Sequence, residues 1–211
     1  MPVKVILLDF DGVLVESNDI KDRAFEVVFA DYPEHLPAIM DYHHRTTLIR
    51  FEKFRYVYEH ILKQPYTPAV EKRLAEQFSA FCIQEVINCP WVKGAQAFLD
   101  SFVSRYPLYV VSINPSQDLE AILKGRGIRK YFKGVYTVTS SKCSAIEEIL
   151  KREHALPSEA VFIGDSRSDY ESAKATQVPF IGRCSGQALM ADNSPVFDDM
   201  DSISKYLKAK I

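Results

Sequence analysis

The chain has 211 residues, 47% hydrophobic and 26% charged, with a formal net charge of -2. That is enough for one well-buried core, or a core with a small inserted domain. The near-neutral charge gives no electrostatic basis for partnership with nucleic acid or an anionic membrane, and no apolar run approaches the roughly 20 residues that span a bilayer. The four cysteines, Cys82, Cys89, Cys143 and Cys184, form no CxxC pair. With no secretory leader ahead of the first apolar run, they read as reduced, mostly buried thiols of a cytoplasmic protein.

The first predicted element is the run Val3-Lys4-Val5-Ile6-Leu7-Leu8, whose Val, Ile and Leu content is that of a core strand covered on both faces. It ends in Asp9-Phe10-Asp11-Gly12-Val13-Leu14. In an extended chain Asp9 and Asp11 would face the same side, with Phe10 turned to the core and Gly12 allowing a sharp turn. Two crowded carboxylates repel unless a cation or a shared proton relieves them, so the pair predicts a metal site. The competing reading is an Asx-type turn at a strand end.

A long helical stretch follows. Helical spacing of apolar residues predicts helices over 19–30, 48–62 and 68–87. From Lys93 the pattern alternates: helix over 95–104, strand near 108–111, helix over 118–126, strand over 134–138, helix over 145–153, strand over 160–163. A short strand at 179–181 and a helix over 203–209 close the series. Alternation of this kind predicts an α/β fold, a Rossmann-like three-layer core with a parallel sheet and right-handed crossovers. The early helices read as an α-helical cap domain inserted at 16–88, which leaves 1–15 and 89–211 as the core. Hinges are expected near Val15-Glu16-Ser17 and Asn88-Cys89-Pro90.

Three further polar clusters close strands: Ser112-Ile113-Asn114-Pro115, Ser140-Ser141-Lys142, and Gly164-Asp165-Ser166-Arg167-Ser168-Asp169. Alone, Ser112 reads as a turn residue and Lys142 as a solvated helix-start lysine. In order, the series is carboxylates, hydroxyl, ammonium, carboxylates, a set suited to a phosphoryl group on a divalent cation.

With these four clusters the chain resembles the haloacid dehalogenase-like hydrolase superfamily. Asp9 to Leu14 is similar to its first motif, Ser112 to its second, Lys142 to its third, and Gly164-Asp165-Ser166 with Asp169 to its fourth. The inserted helices resemble the caps of phosphoglycolate-phosphatase-like and β-phosphoglucomutase-like members, which close over substrate and carry specificity. The resemblance implies a phosphatase acting on a small phosphorylated metabolite, with a phosphomutase as the alternative. It implies catalytic roles for Asp9, Asp11, Ser112 and Lys142. It also implies Mg²⁺ held through the Asp9 and Asp165 carboxylates and the Asp11 main-chain carbonyl, with Asp169 supporting from one shell out. Asp9 would be the nucleophile and Asp11 the acid and base. An aspartate at position 11 favours oxygen esters over the halides and phosphonates handled by members that lack it. A phospho-receiver domain fits poorly, being shorter and without the early insertion, and the complete acidic set argues against a silent scaffold.

Two substrate-binding residues are expected, Asn114 and Arg50. The stretch His43-His44-Arg45-Thr46-Thr47-Leu48-Ile49-Arg50, with Lys53 and Arg55, is locally basic. Arg45 is expected just before a helix starting at Thr46 or Thr47, whose amino end would suit an anion. The alternative is a solvated face paired with Glu52 and Glu59. His43 and His44 suggest a second metal, but adjacent helical residues diverge by about 100°, and no third ligand stands at suitable spacing. Arg183, after the last strand, reads as a surface residue. Nothing in the sequence decides between monomer and dimer.

Overall fold

The computed structural model of the chain describes residues 3–46, 48–138, 141–186 and 192–210. The chain divides into two compact units, Met1–Ser17 with Cys89–Ile211, and Asn18–Asn88. The break falls after Ser17 rather than residue 15 because Val15 still bridges Asp11 and Trp91, and the Ser17 hydroxyl donates to Asp11.

Strand β1 (Val5–Leu8) leads into the second unit, made of α1 (Ile20–Val28), α2 (Leu36–Arg45), α3 (Arg50–Tyr56) with a π turn at Val57–Ile61, and α4 (Pro68–Asn88). Pro68 opens α4, where its missing N–H costs nothing, and Thr67 Oγ1 accepts from the Val70 amide. The core of this unit is aromatic: the Phe25 ring lies 5.4 Å from Phe54 and 5.5 Å from Phe78. Helix α2 has no counterpart among the helices expected from spacing, and only Ile39 and His43 of it are buried. The single helix expected over 48–62 begins at Arg50 and changes to the π turn at Val57.

The first unit resumes with α5 (Ala95–Phe102) and then alternates: β2 (Leu108–Ser112), α6 (Ser116–Gly125), β3 (Gly134–Thr137), α7 (Cys143–Arg152), β4 (Ala160–Gly164), α8 (Arg167–Ala175), β5 (Phe180–Arg183), β6 (Val196–Phe197) and α9 (Met200–Lys208). Among the described residues the sheet has six strands, all parallel, in the order β3-β2-β1-β4-β5-β6. This is the doubly wound order, in which the strand sequence reverses at the centre and opens a crevice at the carboxyl ends. Strand β1 is buried throughout, as its unbroken apolar run requires. The described residues contain no helix long and apolar enough to cross a membrane. The cysteines are free but not mostly buried: Cys82, Cys89 and Cys143 are half-buried and Cys184 is exposed.

Gly164, the last residue of β4, lies where a Cβ would stand 2.4 Å from Cβ and 2.7 Å from Cγ of Asp169. Asp169 is fully buried, so neither partner has room to yield. Gly164→Ala is therefore expected to lower unfolding stability by about 1–3 kcal/mol, read as a lower urea midpoint with an unchanged slope. A midpoint equal to that of the unaltered chain would mean the sheet and α8 can separate at no cost.

Candidate active site

Strands β1 and β4 are direct neighbours, paired from Val5↔Ala160 to Leu8↔Ile163, and the Asp9 amide continues the ladder by donating to the Ile163 carbonyl at 2.9 Å. Asp9 and Asp165 therefore leave the sheet side by side. Helix α8 adds Asp169. These three carboxylates are buried, and each offers an oxygen within 4.8 Å of the others.

Asp169 is committed inward on both oxygens. Ser166 caps α8, accepting from the Asp169 amide at 3.2 Å, while Asp169 Oδ2 accepts from the Ser166 amide at 3.1 Å and its hydroxyl at 2.6 Å. This is a reciprocal capping box. Asp169 Oδ1 accepts from Lys142 Nζ at 2.6 Å. Lys142, at the start of α7, is 3% exposed and also stands 2.8 Å from Asp9 Oδ1. It is a buried ion-pair centre, not a solvated lysine. Asp9 Oδ1 takes the Phe10 amide as well, at 2.7 Å.

Burial pushes the Asp9 carboxyl well above its usual pKa; Lys142 opposes this, while Asp169 and Asp165 add to it. Burial also works against the charge on Lys142, but Asp9 and Asp169 outweigh it and hold the ammonium above its ordinary value. The surplus of negative charge and the hard oxygen donors fit a small divalent cation such as Mg²⁺. Because Lys142 and the helix cap hold Asp169, the residues of this cluster that suit direct ligation are Asp9 and Asp165.

The Asp11 carboxylate stands outside this tight three-carboxylate group and is held by Ser17 and Asn114. Beyond Asp11 the chain turns. The Gly12 amide donates to the Val15 carbonyl at 2.9 Å and the Leu14 amide to the Phe10 carbonyl at 3.0 Å, with Gly12 at φ 68°. The loop directs Asp11 to Ser17, whose hydroxyl donates to Oδ1 at 2.5 Å, and to Asn114, whose Nδ2 donates to Oδ2 at 2.8 Å. Ser112 is buried at the end of β2, and its Oγ accepts from the Asn114 amide at 3.1 Å.

Arg183 is not a surface residue. It is 7% exposed at the end of β5, and its guanidinium donates to the Gly12 carbonyl at 3.0 Å and to both oxygens of Glu16, at 2.9 Å and 2.5 Å. It fastens the loop that carries Asp9 and Asp11. A cleft of about 400 Å³ lies at the opposite, amino ends of β2 and β3, lined by Arg105, Tyr106, Lys130 and Lys133 among others, away from these carboxylates.

In the helical unit, Arg50 Nη1 donates to Ser79 Oγ at 3.1 Å, with its guanidinium 5.1 Å from the Phe51 ring centre and 5.3 Å from that of Phe78. Arg45 ends α2 rather than preceding a helix, and it pairs with Asp41 at 2.6 Å. Thr47 and Ser140 lie outside the described residues. A third group does stand by the two histidines: Asp22 lies 2.8 Å from His43 Nε2 and 3.5 Å from His44 Nε2. What argues against a metal there is Lys53, whose buried Nζ contacts His43 Nδ1 at 3.2 Å and donates to the His43 carbonyl at 2.9 Å. An ammonium at Nδ1 makes that nitrogen the acceptor, so Nε2 carries the proton given to Asp22. The group is a Lys-His-Asp hydrogen-bond chain.

A parallel sheet with carboxylates and a lysine gathered at the carboxyl ends of its central strands is an α/β fold with its candidate site at the switch point. The chain belongs to the haloacid dehalogenase-like hydrolase family, whose model matches residues 6–183. It is similar to the phosphoglycolate phosphatase of Synechococcus elongatus, 26% identical over 174 residues that cover 82% of this chain and 79% of that one. Among solved structures it is similar to a protein from Haemophilus somnus 129PT described as a predicted phosphoglycolate phosphatase, with a TM-score of 0.78 at 19% identity, covering 97% of this chain and 98% of that one. CbbY from Rhodobacter sphaeroides, solved in complex with phosphate, superposes with a TM-score of 0.72 at 16% identity, covering 95% and 96% of the two chains.

Burial lowers the pKa of His43, with Lys53 acting in the same sense against the hydrogen bond to Asp22. The folded state thus resists a proton that the unfolded chain binds near pH 6.5. In that window the unfolded state holds more protons, so stability rises with pH and is lost as the pH falls below about 6.5. Urea midpoints followed by circular dichroism at pH 7.5 and 5.5 are expected to show this loss, and His43→Gln to reduce it. An unchanged pH slope in the variant would exclude His43 as its source.

Proposed function

We propose that the chain is a Mg²⁺-dependent phosphatase that hydrolyses a small phosphate monoester through an aspartyl-phosphate on Asp9. The observation that carries this reading is the buried cluster in which one ammonium group pairs with Asp9 and Asp169 beside Asp165. Mg²⁺, held by the Asp9 and Asp165 carboxylates and the Asp11 main-chain carbonyl, would offset the charge of the phosphate dianion.

Asp9 attacks phosphorus as the ester P–O bond breaks, and Asp11 gives a proton to the departing alcohol oxygen. In the second half Asp11 takes a proton from water, whose oxygen bonds to phosphorus as the Asp9–phosphorus bond breaks. Lys142 offsets negative charge around Asp9 throughout. Because Ser112 Oγ already accepts from the Asn114 amide, its hydroxyl proton points elsewhere and serves a phosphoryl oxygen. Glycolate phosphate is the first substrate to try, by the name of the Synechococcus relative, followed by sugar, sugar-acid and nucleotide monophosphates. The helical unit supplies specificity, with Arg50 as its candidate anion-binding residue. Its flanking aromatic rings and Ser79 limit the directions open to the guanidinium.

Phosphate release from p-nitrophenyl phosphate is expected to require Mg²⁺, to stop with a chelator, and to fall at least 1,000-fold in Asp9→Asn. Equal rates in the two proteins would end the phosphatase reading, and an isomerised sugar phosphate formed in place of orthophosphate would turn it into a phosphomutase. Arg50→Ala is expected to cut kcat/KM for the preferred substrate about 10-fold or more while sparing p-nitrophenyl phosphate. Equal losses on both esters would remove Arg50 from specificity.

A further inference from the structure

We propose that Asn114 is a positioning residue for Asp11: its side-chain amide holds one carboxylate oxygen, so that the other, against Ser17, is the oxygen that exchanges protons with the leaving alcohol and with water. The proposal rests on the phosphatase reading and departs from the expectation that Asn114 binds substrate phosphate.

The geometry comes from the sheet. Strands β1 and β2 pair with Leu8 opposite Val110, so the loops that follow them leave the same end together. Pro115 disfavours helical backbone at the residue before it, which keeps Asn114 from being drawn into α6. The Asn114 amide N–H is anchored on Ser112 Oγ at 3.1 Å, and from that anchor Nδ2 reaches Asp11 Oδ2 at 2.8 Å.

The donor types divide the work. An asparagine NH₂ can only donate, so the oxygen it holds is kept as an acceptor. The Ser17 hydroxyl on Oδ1, 2.5 Å away, can donate to a carboxylate or accept from a carboxylic acid by rotation. The Oδ1 side can therefore carry a proton while its neighbour stays satisfied, and the Oδ2 side cannot. In the first half-reaction the Oδ1 proton passes to the leaving oxygen as its bond to phosphorus breaks and the Asp9–phosphorus bond forms. In the second, a water proton returns to Oδ1 as the water oxygen bonds to phosphorus and Asp9 is released. Holding the acid within hydrogen-bond reach of both oxygens is an orientation effect, and such effects are lost by small displacements.

The test uses the full-length chain with Mg²⁺ and two esters. One is p-nitrophenyl phosphate, whose leaving group departs without a proton; the other is the best alkyl phosphate found for the unaltered protein. Asn114→Leu removes the donor, and Asn114→Asp keeps the shape while replacing the donor by a like charge. Main-chain anchoring to Ser112 persists in both. In both variants kcat for the alkyl ester is expected to fall about 10- to 100-fold with KM nearly unchanged, as for loss of general acid–base assistance. With p-nitrophenyl phosphate the first turnover is expected to stay within about two-fold of the unaltered protein while steady turnover slows. A burst of nitrophenolate and phosphorylated Asp9 would follow. A rise in KM or in the inhibition constant of orthophosphate, with first turnover reduced equally for both esters, would overturn the proposal and return Asn114 to phosphate binding. Unchanged kinetics would overturn it outright. If the unaltered protein releases no phosphate from any ester, the phosphatase reading itself has failed and this proposal falls with it.

Discussion

The ammonium of Lys142, enclosed between Asp9 and Asp169, is the interaction on which the rest of the site depends. Each carboxylate alone would be costly at such depth, and removing one partner from a buried pair generally costs more than forming the pair gains. The pairing also links separate levels of structure. Lys142 stands at the N-cap of α7, Asp9 follows the last residue of β1, and Asp169 sits in the first turn of α8. A single charge thereby fixes two helices to the central strand. Asp169 is engaged on both sides, since one of its oxygens faces the lysine and the other closes the helix cap.

Around this centre the carboxylates are separated by environment. Asp9 and Asp165 lie together with Asp169 in a buried, net negative group. The Asp11 carboxylate, two residues on, accepts from two neutral donors, Ser17 and Asn114. Groups of one chemical type placed in unlike surroundings can take unlike parts in a reaction.

The parallel sheet was legible because buried parallel strands carry unbroken apolar runs, as in Val5 to Leu8 and Ala160 to Gly164. The clusters at Asp9, Ser112, Lys142 and Asp165 were legible because each closes or follows such a run. Helices α2 and α8 carry little apolar signal in the sequence. In α8 the buried residues are Asp169, Ser172 and Ala173, which give hardly any apolar periodicity. Strand β6 spans Val196–Phe197, too short for any period. The partners of Asp11 and the burial of Arg183 depend on contacts between residues far apart in sequence, which local pattern does not carry. Charge misled at Arg183, since a lone arginine after a strand usually meets water; here Glu16 and a loop carbonyl take its place.

The clamp from Arg183 to Gly12 and Glu16 has a consequence for the order of assembly. It joins positions 171 and 167 residues apart, and a chain made from its amino end presents the loop long before the arginine exists. The clamp on the turn bearing Asp9 and Asp11 therefore cannot close until β5 has been synthesised and docked beside β4. Among the events of folding, completion of this clamp belongs near the end.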